Sequence, residues 1–190
     1  MKLKFEPDLD FQIEAINSIV DIFEGQEICR TNFTVAPLST DQLSYNELGI
    51  GNRLELLEED ILKNIRNIQL RNGLKSSSNL DSMDVTVEME TGTGKTYVYL
   101  RTIFELNKKY GFTKFVIVVP SIAIKEGVYK SLEITEEHLR ALYDNTQYDY
   151  FIYDSGKLEQ VKKLAKLLMF IKLIIIACLT LLAFYRTRLI

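Results

Sequence analysis

Val85-Thr86-Val87-Glu88-Met89-Glu90-Thr91-Gly92-Thr93-Gly94-Lys95-Thr96-Tyr97-Val98-Tyr99-Leu100 is the stretch that decides the fold. Residues Val85 to Met89 alternate apolar and polar, the period of a strand, and a helix is expected from Tyr97 to Leu106. Between them lies a glycine turn ending in Lys95-Thr96. Strand, glycine loop and helix in that order form the context in which such a turn cradles phosphate. Gly92 and Gly94 permit backbone conformations that a Cβ would hinder, so successive N–H groups can turn inward on a polyphosphate. Lys95 then reaches the β- and γ-phosphates, the Thr96 hydroxyl holds Mg²⁺, and the helix N-terminus adds its positive dipole end. The strict pattern G-x-x-x-x-G-K-[ST] is not met, because Met89 stands at its first glycine position.

Upstream, Pro7 and Asp8 precede a helical stretch with Ile13, Ile16, Val20 and Phe23 three or four apart, stopped at Glu24-Gly25. Residues 26–52 are turn-rich, with Pro37, Asn46, Gly49 and Gly51, and read as a loop or extended insertion. A second amphipathic helix carries Leu54, Leu57, Ile61, Ile65 and Ile68 on one face and ends at Asn72-Gly73. Downstream, Gly111 resets the chain, and Lys114 to Pro120 reads as a fully buried strand, apolar on both faces. Two helices, Ser121 to Leu132 and Thr135 to Tyr143, and a third strand, Tyr148 to Tyr153, follow. Strands alternating with helices imply an α/β, RecA-like or doubly wound core on a parallel sheet, with the phosphate loop at its carboxyl edge.

The chain has 190 residues, enough for one core, and a formal charge of −3. The charge is uneven: residues 161–190 hold Lys162, Lys163, Lys166, Lys172, Arg186 and Arg188 and no acid, which leaves an acidic body. An acidic body gives no electrostatic footprint for nucleic acid. Cys29 and Cys178 fit no metal spacing and read as free thiols in a reducing compartment. Met1 to Asp8 has no apolar core of a secretory leader, so a cytoplasmic location is expected. Leu167 to Tyr185 contains one charge, Lys172, and is long enough for a membrane helix. Ile174-Ile175-Ile176 fits a buried strand equally well.

Several ordered blocks resemble one family. Val87 to Tyr99 is similar to the first motif of superfamily 2 helicases, in the version found in the Res subunit of type III restriction–modification enzymes. Phe115 to Ser121 with Ile124 to Val128 resembles the next helicase motif, which in that family tracks the DNA backbone. Leu9 to Ile16 resembles the family's opening Phe-Gln helix, and Leu142 to Asn145 and Tyr148 to Phe151 fit the same pattern. The resemblance covers about residues 1–160. It implies an N-terminal ATP-binding lobe of an ATP-dependent DNA translocase and endonuclease, with ATP and Mg²⁺ as ligands and double-stranded DNA and a modification methyltransferase subunit as partners.

On that resemblance the nucleotide-binding residues are Gly92, Thr93, Gly94, Lys95, Thr96 and Gln12, with Gln12 at the adenine and Thr96 holding Mg²⁺ through the nucleotide. Ser121 and Lys125 would touch DNA phosphate; read from the residues alone, Ser121 is a helix cap and Lys125 an exposed charge. By the same token Gln12 on an amphipathic helix faces solvent, and Glu90 is a surface carboxylate that the loop's neighbourhood offers to water or Mg²⁺. His138 stands alone, without a ligand cluster. The family's Asp-Glu box, which polarises Mg²⁺ and the attacking water, does not follow the third strand. Glu58-Glu59-Asp60 lies before the loop, in the wrong order, and reads as solvated surface charge. The expected organisation is a lobe over 1–160 with a helical insertion near 26–80. The apolar, basic ending over 161–190 reads as frame-shifted or membrane-like, with no catalytic residue assigned.

Overall fold

A computed structural model describes residues 5–28, 52–153 and 171–177. Helix α1 (Asp10–Val20) runs into a 3₁₀ turn at Asp21–Phe23, and Gly25, at φ +90°, turns the chain away. Helix α2 (Glu58–Arg71) stops at Gly73 (φ +68°), a left-handed terminus of the kind glycine supplies. Helix α3 (Lys95–Tyr110) leaves the glycine loop and ends at Gly111 (φ +74°), which hands the chain to strand β1 (Lys114–Val119). Helix α4 (Ile122–Leu142) leads to β2 (Tyr148–Ile152), and β3 (Ile171–Ala177) completes the described elements.

The strands form a parallel sheet in the order β1-β3-β2, with Phe115 opposite Leu173 and Leu173 opposite Tyr150. Ile171, Leu173 and Ile175 are fully buried, packed with Leu100, Ile103 and Phe104 of α3 and with Val128, Leu132 and Leu139 of α4. A second cluster joins α1 to α3 through Ala15, Ile16, Val20, Val98, Leu106 and Tyr110. The third, Ile22, Ile61 and Ile65, fastens α2 to the end of α1. Helix α3, which carries the glycine loop at its N-terminus, is therefore gripped by the sheet on one side and by α1 on the other.

Within the apolar ending, Ile171–Ala177 forms a strand, the centre of the sheet. Among the described residues no helix is long and apolar enough to cross a membrane. The segment 29–51, both cysteines, and the ends of the 161–190 tail lie outside the described residues.

Four expectations are corrected. Val85 to Met89 is not a strand. A strand exists only by its ladder partner, and among the described residues β1 pairs with β3 alone; Val85 and Val87 instead line a cavity with Phe11, Ile65 and Leu74. Strand β1 is apolar on both faces but buried on one, since Val116 is 55% and Val118 43% exposed while Phe115 and Ile117 face the core. The two helices expected over 121–143 are one helix of 21 residues. The buried Thr135 hydroxyl donates to the Ser131 carbonyl (2.7 Å), a turn behind it, so the polar residue remains inside the helix without breaking it. Leu54 and Leu57 precede α2 and are exposed, so the helix's buried face begins at Ile61.

A polar cluster ties α3 to α4 and to the N-terminal segment. The buried Arg101 donates from Nε to the Tyr143 hydroxyl (3.3 Å) and from a terminal nitrogen to the Pro7 carbonyl. Tyr143 in turn donates to Glu105 (2.8 Å), and burial drives its phenol well above the ordinary range. One turn earlier the Tyr97 hydroxyl meets His138 Nε2 at 2.7 Å, with Phe5 stacked on Tyr97. Burial, and then the Arg101 charge, hold the His138 imidazole below its ordinary 6.5. The unfolded chain thus binds the proton first as pH falls. This site costs nothing above about pH 6.5 and destabilises the fold progressively below it. Melting curves at pH 7.5 and 5 should show a larger fall for the wild type than for His138→Phe. An equal fall in both would remove His138 from the acid response.

Candidate nucleotide-binding site

The loop between Glu90 and Lys95 is shaped by its own residues. Gly92 and Gly94 both adopt φ +82°, the left-handed region where a side chain is strained. Gly94 is the N-cap of α3, and its carbonyl accepts from Val98 N (3.0 Å), so the helix starts directly at Lys95. The Thr93 hydroxyl donates to the Glu90 carbonyl at 2.7 Å and closes the turn on itself. Lys95 is exposed at the first helical position and Thr96 half-buried beside it. A left-handed glycine, one intervening residue, a second left-handed glycine and then a helix N-terminus bearing a lysine form a concave set of N–H donors suited to an anion.

Gln12 does not face solvent, as its residue type alone would suggest. It faces inward, 6% exposed, and its Nε2 donates to the Thr93 carbonyl at 2.9 Å, across 81 residues of chain. Helix α1 is held against α3 by Ala15, Ile16 and Val20, and Gln12, one turn earlier on that buried face, meets the loop. Its Oε1 is buried with no hydrogen-bond partner among the described residues. The structure thus brings Gln12 together with Thr93, Gly94, Lys95 and Thr96. The inward placement is legible in the spacing, since Gln12 stands four residues before Ile16 and eight before Val20.

The remaining candidates lie apart from this group. Ser121 is the N-cap of α4, its hydroxyl accepting from Ile124 N at 3.2 Å, as the cap reading requires. Lys125 is not the freely exposed charge expected: its side chain is largely covered and sits 3.6 Å from Glu126. Glu90 is exposed at the start of the loop. Glu58, Glu59 and Asp60 form the exposed first turn of α2, where acids complement the helix dipole. His138 is engaged with Tyr97, and no group of His, Cys, Asp and Glu fit for a metal occurs among the described residues. Tyr143 and Tyr148 are core residues, packed on Phe104 at 5.0 and 5.1 Å. Beside the loop, a cavity of about 740 Å³ runs between α1, α2 and residues 85–90, lined by Phe11, Ile22, Ile65, Ile68, Val87 and Met89.

The family model for the type III restriction enzyme, res subunit, matches residues 9–150. The chain is 34% identical over 152 residues to the Res subunit of the type III restriction-modification enzyme EcoP15I of Escherichia coli. It is 33% identical over 153 residues to the EcoPI Res subunit of Escherichia phage P1. Those alignments take in 77% and 78% of this chain and 15% of each relative. The StyLTI Res subunit of Salmonella typhimurium is 45% identical over 78 residues, 40% of this chain and 8% of that protein. The chain spans about 15% of the length of the first two relatives.

Proposed function

We propose, from the premise that this chain belongs to the type III restriction enzyme Res-subunit family, that it is the nucleotide-binding part of the N-terminal RecA-like ATPase lobe of such an enzyme. The observation that carries the reading is the loop itself: two left-handed glycines followed at once by Lys95 at the head of a buried helix. Backbone N–H groups of the loop and the Lys95 ammonium neutralise the β- and γ-phosphates of ATP. Thr96 presents its hydroxyl to the Mg²⁺ that bridges them. Gln12 belongs to the same site. In the complete enzyme this binding would drive movement on double-stranded DNA in company with the modification subunit, in the cytoplasm, with Ser121 and Lys125 at the DNA backbone.

For this chain the proposal is narrower. Phosphoryl transfer to water needs a carboxylate to set the metal and the nucleophile, and the acids that follow β2, Asp154 and Glu159, do not form the Asp-Glu box expected for that role. For the chain on its own we propose binding without turnover. Titrating Mg-ATP into the full chain in a calorimeter should give a saturable one-site isotherm, weakened when Mg²⁺ is omitted, with no phosphate release. Absence of binding would overturn the site. Steady phosphate release by the wild type, lost on Lys95→Ala, would overturn the proposal of binding without turnover.

A further inference from the structure

The contact between Gln12 and the loop has a direction. In a trans peptide the C=O and the following N–H point opposite ways. Pinning the Thr93 carbonyl against α1 therefore aims the Gly94 N–H away from α1, and an anion cradle needs its carbonyls outward and its N–H groups inward. Gly94 serves the same contact. A Cβ at this position would sit 2.9 Å from Gln12 Nε2, so the absence of a side chain gives the amide its approach. The Thr93 hydroxyl holds the other flank of the turn on Glu90, which leaves the Thr93–Gly94 peptide as the plane that Gln12 alone restrains from outside the loop, among the described residues. Burying Oε1 with no partner among the described residues costs stability; the amide is nonetheless kept at the loop, with its donor side turned to the carbonyl.

We propose that Gln12 is a positioning residue of the phosphate loop: by holding the Thr93 carbonyl it presets the Gly94 N–H for phosphate, whatever base the nucleotide carries. The proposal rests on the nucleotide-binding reading above and separates from it by experiment. A residue that only reads the base would matter for ATP and not for a ligand with no base. A residue that sets the loop matters equally for both.

The test compares Mg-ATP with magnesium tripolyphosphate on the full chain, for the wild type, Gln12→Met and Gln12→Glu. Methionine keeps the length and bulk while removing the donor. Glutamate keeps the shape but adds a charge that repels either ligand, so Gln12→Met carries the comparison of ligands and Gln12→Glu serves as a second folded variant, as thermal melts will show. The expected result is a loss of about threefold to tenfold, the worth of one hydrogen bond, and by the same factor for both ligands. A variant that binds tripolyphosphate like the wild type, with or without a loss for ATP, would overturn the positioning role while the site stands. A wild type that binds neither ligand would instead overturn the nucleotide-binding reading and this proposal with it.

Discussion

Lys95→Ala should lower the affinity for Mg-ATP by about tenfold to a hundredfold while leaving the melting temperature unchanged. A hydrogen bond to a charged group is worth roughly 1.5–3 kcal/mol, and the triphosphate would meet this ammonium at the end of a helix whose dipole already favours an anion. Lys95 is exposed at the first position of α3 and makes no hydrogen bond or ion pair among the described residues, so its removal disturbs no packing; surface changes of that kind move stability by about 0.5 kcal/mol or less. Binding and stability should thus separate cleanly. Lys95→Arg offers the finer contrast. It keeps the charge but replaces a compact ammonium by a wide planar fork, which the tight turn between Gly94 and Tyr97 has no reason to accommodate, and its affinity should fall between those of wild type and alanine. Equal affinity of Lys95→Ala and wild type, measured by calorimetry, would mean that the loop is a surface turn.

Leu173→Ala should be among the most damaging single changes in the chain. Leu173 is completely buried in the central strand, level with Phe115 of β1 and Tyr150 of β2, under the helices α3 and α4. Truncations of this kind cost about 2–5 kcal/mol, the transfer of the lost methyl groups plus the cavity that stays behind. Set against a whole-domain stability of about 5–15 kcal/mol, that is a large share. The expected drop in melting temperature is roughly 5–20 °C, at about 2–4 °C per kcal/mol for a chain of this size. Val116→Ala, on the open face of β1, should cost far less. If Leu173→Ala melted like the wild type, β3 would not be the strand that joins β1 to β2, and the sheet would need another centre.

Lys95 and Leu173 also mark the two limits of what the amino-acid sequence makes legible. The glycine loop and the helix behind it are legible because their signals are local: glycines suited to left-handed backbone, a lysine at a helix start, and apolar spacing along α3. Helix α1 and strand β2 are legible for the same reason. The role of residues 171–177 is not, since a run such as Ile174-Ile175-Ile176 satisfies a membrane helix and a buried parallel strand equally, and only the ladders to β1 and β2 decide between them. The strand expected at Val85 to Met89 fails for the mirror-image reason: its alternation is real, but pairing is a property of neighbours, and the described part of β1 pairs only with β3. In the site, Gln12 is the instructive residue. Its proximity to Thr93 depends on how α1 packs against α3, which spacing along α1 can suggest but not place. The continuous α4 is hidden by Thr135, whose usual reluctance in helices is answered here by its bond to Ser131.

The most direct measurement follows backbone amides by NMR as Mg-ATP is added to isotopically labelled chain. The amides of Gly92, Thr93, Gly94, Lys95 and Thr96 should shift together along one saturable curve, and the Gln12 side-chain amide should move with them. Saturable binding that leaves those amides unmoved, or no binding at all, would contradict the assignment of this loop as the triphosphate site.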